Sequence, residues 1–469
     1  MVQTSVSFWT EDAVWQRVYD AAERYELQNV KDFNGKPVLI EGGDYIGLWL
    51  ETQPMGGEMY AKRNLATALN NQRMFMDHMR EDGRLPSVIY QQEGKLGLMF
   101  SHLQGYCFPW HALNVYYWMG KEDKAYLRQL YDVLRRFDEY LWRTRDSDGN
   151  GCLESFCVYD TGEDNSTRFF DAPNAWGEDT PPVGQGKMPY ESMDMMAYSC
   201  DGREALADIS ALLGNGEEAE WRRKAQEVRK KIRAYLWREE KGACYDRDGN
   251  NQFLDTLIHN NLRVMYHGAF DQHMADRFVR EHLLNPKEFW TPMPLVSIAA
   301  DDPLFRSTDY NDWSGQPQGL TYQRAIRALE NYGWYSLIPV LGHKLCDALA
   351  KNNPSVFPQQ FDPFTATPSL KGGMVNYGPT ILAFLEYTAR MYGVTPVREE
   401  LRWGTVGGGA CEYTQTWGDR VYTVKNDGRQ ASLNINGKEI AVVPAGTRVV
   451  TDLQGNILEK ERVEPFGIG

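Results

Sequence analysis

The chain has 469 residues, enough for about three ordinary domains or for one large helical domain with an appendage. With 42% of residues apolar and 24% charged, and no run near the roughly 18 apolar residues of a membrane span, disorder and a membrane-spanning role are both excluded. Fifty Lys and Arg against 64 Asp and Glu give a formal charge of −14, which opposes phosphate backbones and anionic lipid, so neither nucleic acid nor a membrane is an expected partner.

The first ten residues, Met1 to Thr10, have no basic start and no apolar run, so no signal peptide is expected and the expected location is cytoplasmic. Helical periodicity then dominates from about 59 to 392. Its clearest stripes are Leu127, Leu130, Leu134, Phe137 and Leu141, and Trp221, Ala225, Val228, Ile232 and Tyr235. A further stripe, Leu206, Ile209 and Leu213, ends at Gly214-Asn215-Gly216, where the chain turns back. Helices are also expected near 11–27, 59–80, 103–119, 254–266, 270–283, 316–331, 333–352 and 376–392, making eleven in all, close to six hairpins. Long loops at 41–58, 146–190, 284–315 and 353–375 separate some of them, and loops of that length are usually functional. After residue 400 the period becomes two, with strands at 420–424, 431–435, 440–443 and 447–451 and hairpin turns at Asp427-Gly428 and Asn436-Gly437. The expectation is a mainly α domain over 1–398 and a small antiparallel β appendage over 399–469.

Four loop segments could carry chemistry. Asp160-Thr-Gly-Glu163-Asp164-Asn-Ser-Thr-Arg168 crowds three carboxylates around a Gly turn, which can hold one protonated near neutrality as a general acid requires. On spacing alone the same stretch also reads as a solvated acidic loop. Trp49 and Glu51 stand just ahead of a helix, where they could stack on and hydrogen-bond a sugar, or simply plug the core and favour a helix start. The segments holding Trp313, Gln316 and Gln318, and Gln359, Gln360 and Tyr377, supply amides and aromatic rings suited to neutral hydroxylated ligands. Trp110-His111, after Phe108-Pro109, is a further candidate sugar contact. The 13% aromatic content fits a carbohydrate partner without proving one. Seven cysteines without CxxC spacing point to neither zinc nor a disulfide framework.

In this order the segments resemble glycoside hydrolase family 63 and its relatives, the inverting glycosidases of the trehalase, processing α-glucosidase and mannosylglycerate hydrolase type, over roughly 40–395. Thr161-Gly-Glu-Asp164-Asn-Ser166 with Arg168, itself a candidate substrate contact, is similar to the family's acid motif, and Asn311-Asp-Trp313-Ser-Gly-Gln316-Pro to a second element ahead of a helix. The resemblance implies an (α/α)6 toroid, general-acid Asp164, an α-linked small carbohydrate substrate and no required cofactor. In the family the base is a glutamate three residues ahead of an Asp-Pro pair, but the matching residue here is Gln359, ahead of Asp362-Pro363. An inverting mechanism needs two carboxyl groups about 6.5–9.5 Å apart, so Glu51 or Asp362 must substitute, with Glu51 preferred for its place beside Trp49. Asp146, Asp148, Asn150 and the Cys152 carbonyl occupy calcium-loop positions, as in some family members, although Cys157 replaces the closing Glu and a plain Asp/Gly turn explains the same residues. Two rival functions remain open. A sugar isomerase would use His102, His111 or His259 as bases, and a lapsed sugar-binding protein would bind without turnover.

Overall fold

A computed structural model describes residues 2–352, 356–369 and 375–464. Residues 353–355 and 370–374 of the expected loop at 353–375, and 465–469 of the expected appendage, lie outside them.

The helices are α1 (Ala13–Gln28), α2 (Gln53–Tyr60), α3 (Leu65–Asp77), α4 (Pro109–Trp118), α5 (Lys124–Thr144), α6 (Met193–Leu213), α7 (Glu218–Lys231), α8 (Asn260–Tyr266), α9 (Gln272–Phe278), α10 (Gly319–Glu330), α11 (Leu337–Asn352) and α12 (Gly378–Tyr392). Helix α5 buries the expected Leu127, Leu130, Leu134, Phe137 and Leu141, and starts where Asp123 accepts from the Tyr126 amide. Helix α7 fully buries only Trp221, Ala225 and Val228. The even-numbered helices differ in kind. Every residue of α2 and α8 is buried, as is every residue of α12 except Arg390, which places them inside the molecule. Helix α2 packs on α4, α4 on α6, α6 on α8, α8 on α10, α10 on α12 and α12 back on α2, while α1 and α11 cover α12 and α5 and α7 cover α6.

The single helix expected over 59–80 is two, and α2 lies in what reads as a loop. Gly56 and Gly57 weaken its helical signal. Packing requires them: a Cβ on Gly57 would sit 2.6 Å from the Asn71 Cβ.

Beyond α12 the chain forms two antiparallel sheets. With β1 (Thr4–Thr10), β2 (Val394–Val397), β3 (Glu400–Gly404), β4 (Ala410–Trp417), β5 (Arg420–Asp427), β6 (Gln430–Ile435), β7 (Lys438–Pro444), β8 (Thr447–Asp452) and β9 (Ile457–Arg462), their orders are β1-β4-β5-β6-β7 and β2-β3-β8-β9. The turn at Asn436-Gly437 has the two positive φ values, 51° and 79°, that a two-residue hairpin needs. The boundary expected at 398/399 cuts the β2–β3 hairpin, and β1 pairs with β4 from Thr4↔Trp417 to Thr10↔Cys411. The first strand of the chain therefore belongs to the β appendage, a long-range pairing that local alternation cannot signal. Among the described residues no helix is long and apolar enough to cross a membrane.

Candidate active site

The loops that precede the even-numbered helices meet one another. Asn311, ahead of α10, donates to Asp164 Oδ2, ahead of α6, at 2.8 Å, and Gln359, ahead of α12, donates to Asn311 Oδ1 at 3.2 Å. The Trp313 amide holds the Asp164 carbonyl at 3.1 Å. Gln104, ahead of α4, donates to Glu51, ahead of α2, at 3.0 Å.

The three carboxylates of the 160–168 loop are separated by their partners. Burial would raise Asp160, but Arg145 at 2.8 Å and the Phe156 and Leu103 amides hold its carboxyl below the usual range. Burial would likewise raise Glu163, which Arg168 and Arg263 hold well below that range. Half-buried Asp164 has no such cation. Burial and the neighbouring charge of Glu51 push it up to about 7, against the opposing hydrogen bond from Asn311.

Glu51 does lie close enough to raise Asp164, but both of its oxygens are engaged. Oε1 accepts from Arg324 at 2.8 Å and Oε2 from Gln104. The backbone of Gly162, at φ +72°, lies so close that a Cβ there would be 2.0 Å from Glu51 Oε2. A carboxylate whose oxygens are taken by Arg324 and Gln104 and roofed by glycine is poorly placed to receive a water proton, which argues against the expected role of Glu51 as base. Asp362 is held by a turn of its own, its Oδ1 accepting from the Phe364 and Thr365 amides.

A third carboxyl at this site, Glu41, has no motif around it. Its Oε1 accepts from the Tyr377 hydroxyl at 2.6 Å, and its backbone is fixed by Glu41 N to Gly47 O and Gly378 N to Glu41 O. Burial, then the charges of Glu51 and Asp164, push it up to about 8. Tyr45 completes the wall, with its ring edge-on to Trp49 and Tyr377 and its hydroxyl 3.3 Å from Asn311 Nδ2. Tyr45 and Glu41 could have been suspected only from the Gly42-Gly43 turn between them.

Several expected contacts are corrected. Arg168 is buried, with its two terminal nitrogens in ion pairs with Glu163 and Asp246. Trp313 is buried against His259 and Arg263. Gln316, Gln318 and Gln360 tie their own loops together through Thr308, Asp312 and Tyr310. Trp110 and His111 line a separate cavity of about 500 Å³, formed with Lys62, Glu386 and residues 395–400. There His111 joins Glu58 to Tyr266. Tyr377 contacts Glu41, Gln359 contacts Asn311, the partner of Asp164, and Trp49 contacts Tyr45.

The expected calcium loop closes on itself. Asp146 accepts from the Gly151 amide at 3.0 Å, Asp148 from the Asn150 amide at 3.1 Å, and Asn150 Oδ1 from the Cys152 amide at 2.8 Å. Oxygens of Asp148, Glu154 and Glu191 instead gather within 4.8 Å of one another. Glu191 Oε2 is buried there without a hydrogen-bond donor, and burial helps push this carboxyl up to about 7.

The profile of the mannosylglycerate hydrolase MGH1-like glycoside hydrolase domain matches residues 50–378. The chain belongs to this family of glycoside hydrolases. Among solved structures it is similar to the family 63 mannosylglycerate hydrolase of Thermus thermophilus in complex with Tris, at 15% identity and a TM-score of 0.63, over 79% of this chain and 100% of that one. The neutral trehalase of Saccharomyces cerevisiae aligns at 14% identity and a TM-score of 0.60, over 78% and 79%. A sialidase aligns at 13% and 0.71 over 95% of this hydrolase, but that is 41% of the sialidase. At these identities the likeness is one of fold.

Proposed function

We propose that this glycoside hydrolase cleaves a small α-linked glycoside with inversion, in the mouth of an (α/α)6 toroid whose inner ring is the even-numbered helices. The observation that carries the reading is the isolation of Asp164. Of three neighbouring carboxyls in its loop, it alone lacks a cation and keeps a proton near neutrality. In this reading Asp164 protonates the leaving oxygen, and Glu51 acts through its charge to retain that proton. Trp49, Tyr45 and Tyr377 offer the sugar flat faces, and Gln359 an amide.

The test is to incubate the protein with a panel of α-linked disaccharides and glycosylglycerates and follow the anomeric protons by NMR. The β-anomer of the released sugar should appear first and then mutarotate. An α-anomer formed first contradicts inversion. Gln359 favours one alternative, a lapsed binding protein, which would give binding heat without product. The isomerase reading loses support, since the three histidines do not converge on one ligand: His102 is engaged by Gln104, His111 by Glu58 and His259 by Glu163.

A structural calcium, as the resemblance implied, would fall to Asp148, Glu154 and Glu191, a set of hard oxygen ligands. Millimolar calcium should then raise the melting temperature and E191Q should abolish the rise. An unchanged melting curve contradicts calcium binding.

A further inference from the structure

The inverting reading leaves open which group takes the proton of the attacking water, and the geometry points to Glu41 as that base. The inference rests on inverting hydrolysis and narrows it to one residue, which lies outside both the region matched by the family profile and the family's base position.

Elimination is the first support. Gln359 cannot accept a proton from water, and its amide nitrogen is spent on Asn311. Glu51 is held by Arg324 and Gln104 beneath Gly162, Asp362 closes its own turn, and Asp160 and Glu163 are neutralised by Arg145 and Arg168. Glu41 alone among these carboxyls has neither a cation nor a backbone amide on its oxygens. The titratable groups that face it are Tyr377, Tyr45, Glu51 and Asp164.

Positioning is the second. The main chain at Glu41 is pinned on both sides, and Gly378 is glycine because a Cβ there would lie 2.5 Å from the Glu41 carbonyl oxygen. Tyr377 adjoins that glycine and donates to Glu41 Oε1. The loop ahead of α12, which in the resembling family brings the base, here brings the tyrosine that orients one. Burial and the neighbouring carboxylates push Glu41 up to about 8, so the working pair, with Glu41 ionised and Asp164 protonated, is the minor protonation state near neutrality and its Glu41 carboxylate is a strong base.

The step balances without another reactant. A water O–H proton passes to Glu41 as the water oxygen bonds the anomeric carbon from the face opposite the leaving group. The C–O bond electrons leave with the aglycone oxygen, which takes the Asp164 proton. Glu41 then releases its proton to solvent and Asp164 recovers one.

The experiment uses Glu41→Ala and Glu51→Gln with the α-glycosyl fluoride of whichever sugar the wild type releases, with and without sodium azide. Glu41→Ala should lower kcat by about 10²–10⁴-fold, and azide should restore turnover with β-glycosyl azide as product. Glu51→Gln should give no azide product, and should move both limbs of the pH profile downward because Asp164 and Glu41 each lose a raising charge. Near-normal turnover in Glu41→Ala overturns the assignment, as does loss of activity without azide product, or azide product from Glu51→Gln instead. A wild type that releases the α-anomer first, or no sugar at all, defeats the inverting reading itself and is seen before any variant is made.

Discussion

Asp164→Asn should lower kcat on unactivated glycosides by about 10²–10⁴-fold while leaving the melting temperature close to that of the wild type. The asparagine can keep the contact with Asn311 and has no proton to give. Leaving-group chemistry separates this from a general loss of fit. With a dinitrophenyl glycoside, whose phenolate departs without protonation, the defect should shrink to about tenfold or less. The pH dependence follows from both carboxyls: Asp164 works protonated and Glu41 ionised, so kcat/KM should describe a narrow bell that rises through about 7 and falls through about 8. An equal defect for good and poor leaving groups would remove Asp164 from the proton-donor role.

Arg168→Met should destabilise the protein by about 3–5 kcal/mol, because it strips the cation from Glu163 and Asp246 in a region closed to water. Asp194, 3.7 Å from the same guanidinium, is affected too. Arg263 remains near Glu163 and cannot reproduce the bond to Asp246. The loss should diminish toward pH 5, where freed carboxyls take up protons and cease to be buried charges. Denaturant unfolding of the two proteins at pH 8 and pH 5 measures both effects, and a difference under about 1 kcal/mol at pH 8 contradicts the burial argument. If Arg168 instead served the substrate, its loss would show in KM with stability intact.

Asp160, Glu163 and Asp164 illustrate what spacing can and cannot reveal. The sequence shows three carboxyls in five residues and therefore a place where proton affinities can diverge. Which one stays protonated depends on Arg145 at the end of α5, Arg168 and Arg263, groups brought in by the fold. The stripe of α5 and the Asn436-Gly437 turn were legible because their signals are local. Helix α2 was hidden because Gly56 and Gly57 answer to close packing against Leu382 and Asn71. Strand β1 was hidden because its partner lies at the other end of the chain. Glu41 was missed for the same reason, since its defining partner, Tyr377, reaches it only through the loop ahead of α12. Trp110, His111 and Arg168 were over-read: an aromatic, a histidine or an arginine beside a motif looks alike whether it faces a ligand or an internal partner.

The most direct test of the account is a carbon-13 NMR titration of the aspartate side-chain carboxyls, with Asp164→Asn as the assignment control. The account predicts one aspartate resonance that titrates near pH 7 and vanishes in the variant. If the signal lost in Asp164→Asn has finished titrating below about pH 5, near the ordinary aspartate value, Asp164 is no proton donor at neutrality and the proposed hydrolysis loses its acid.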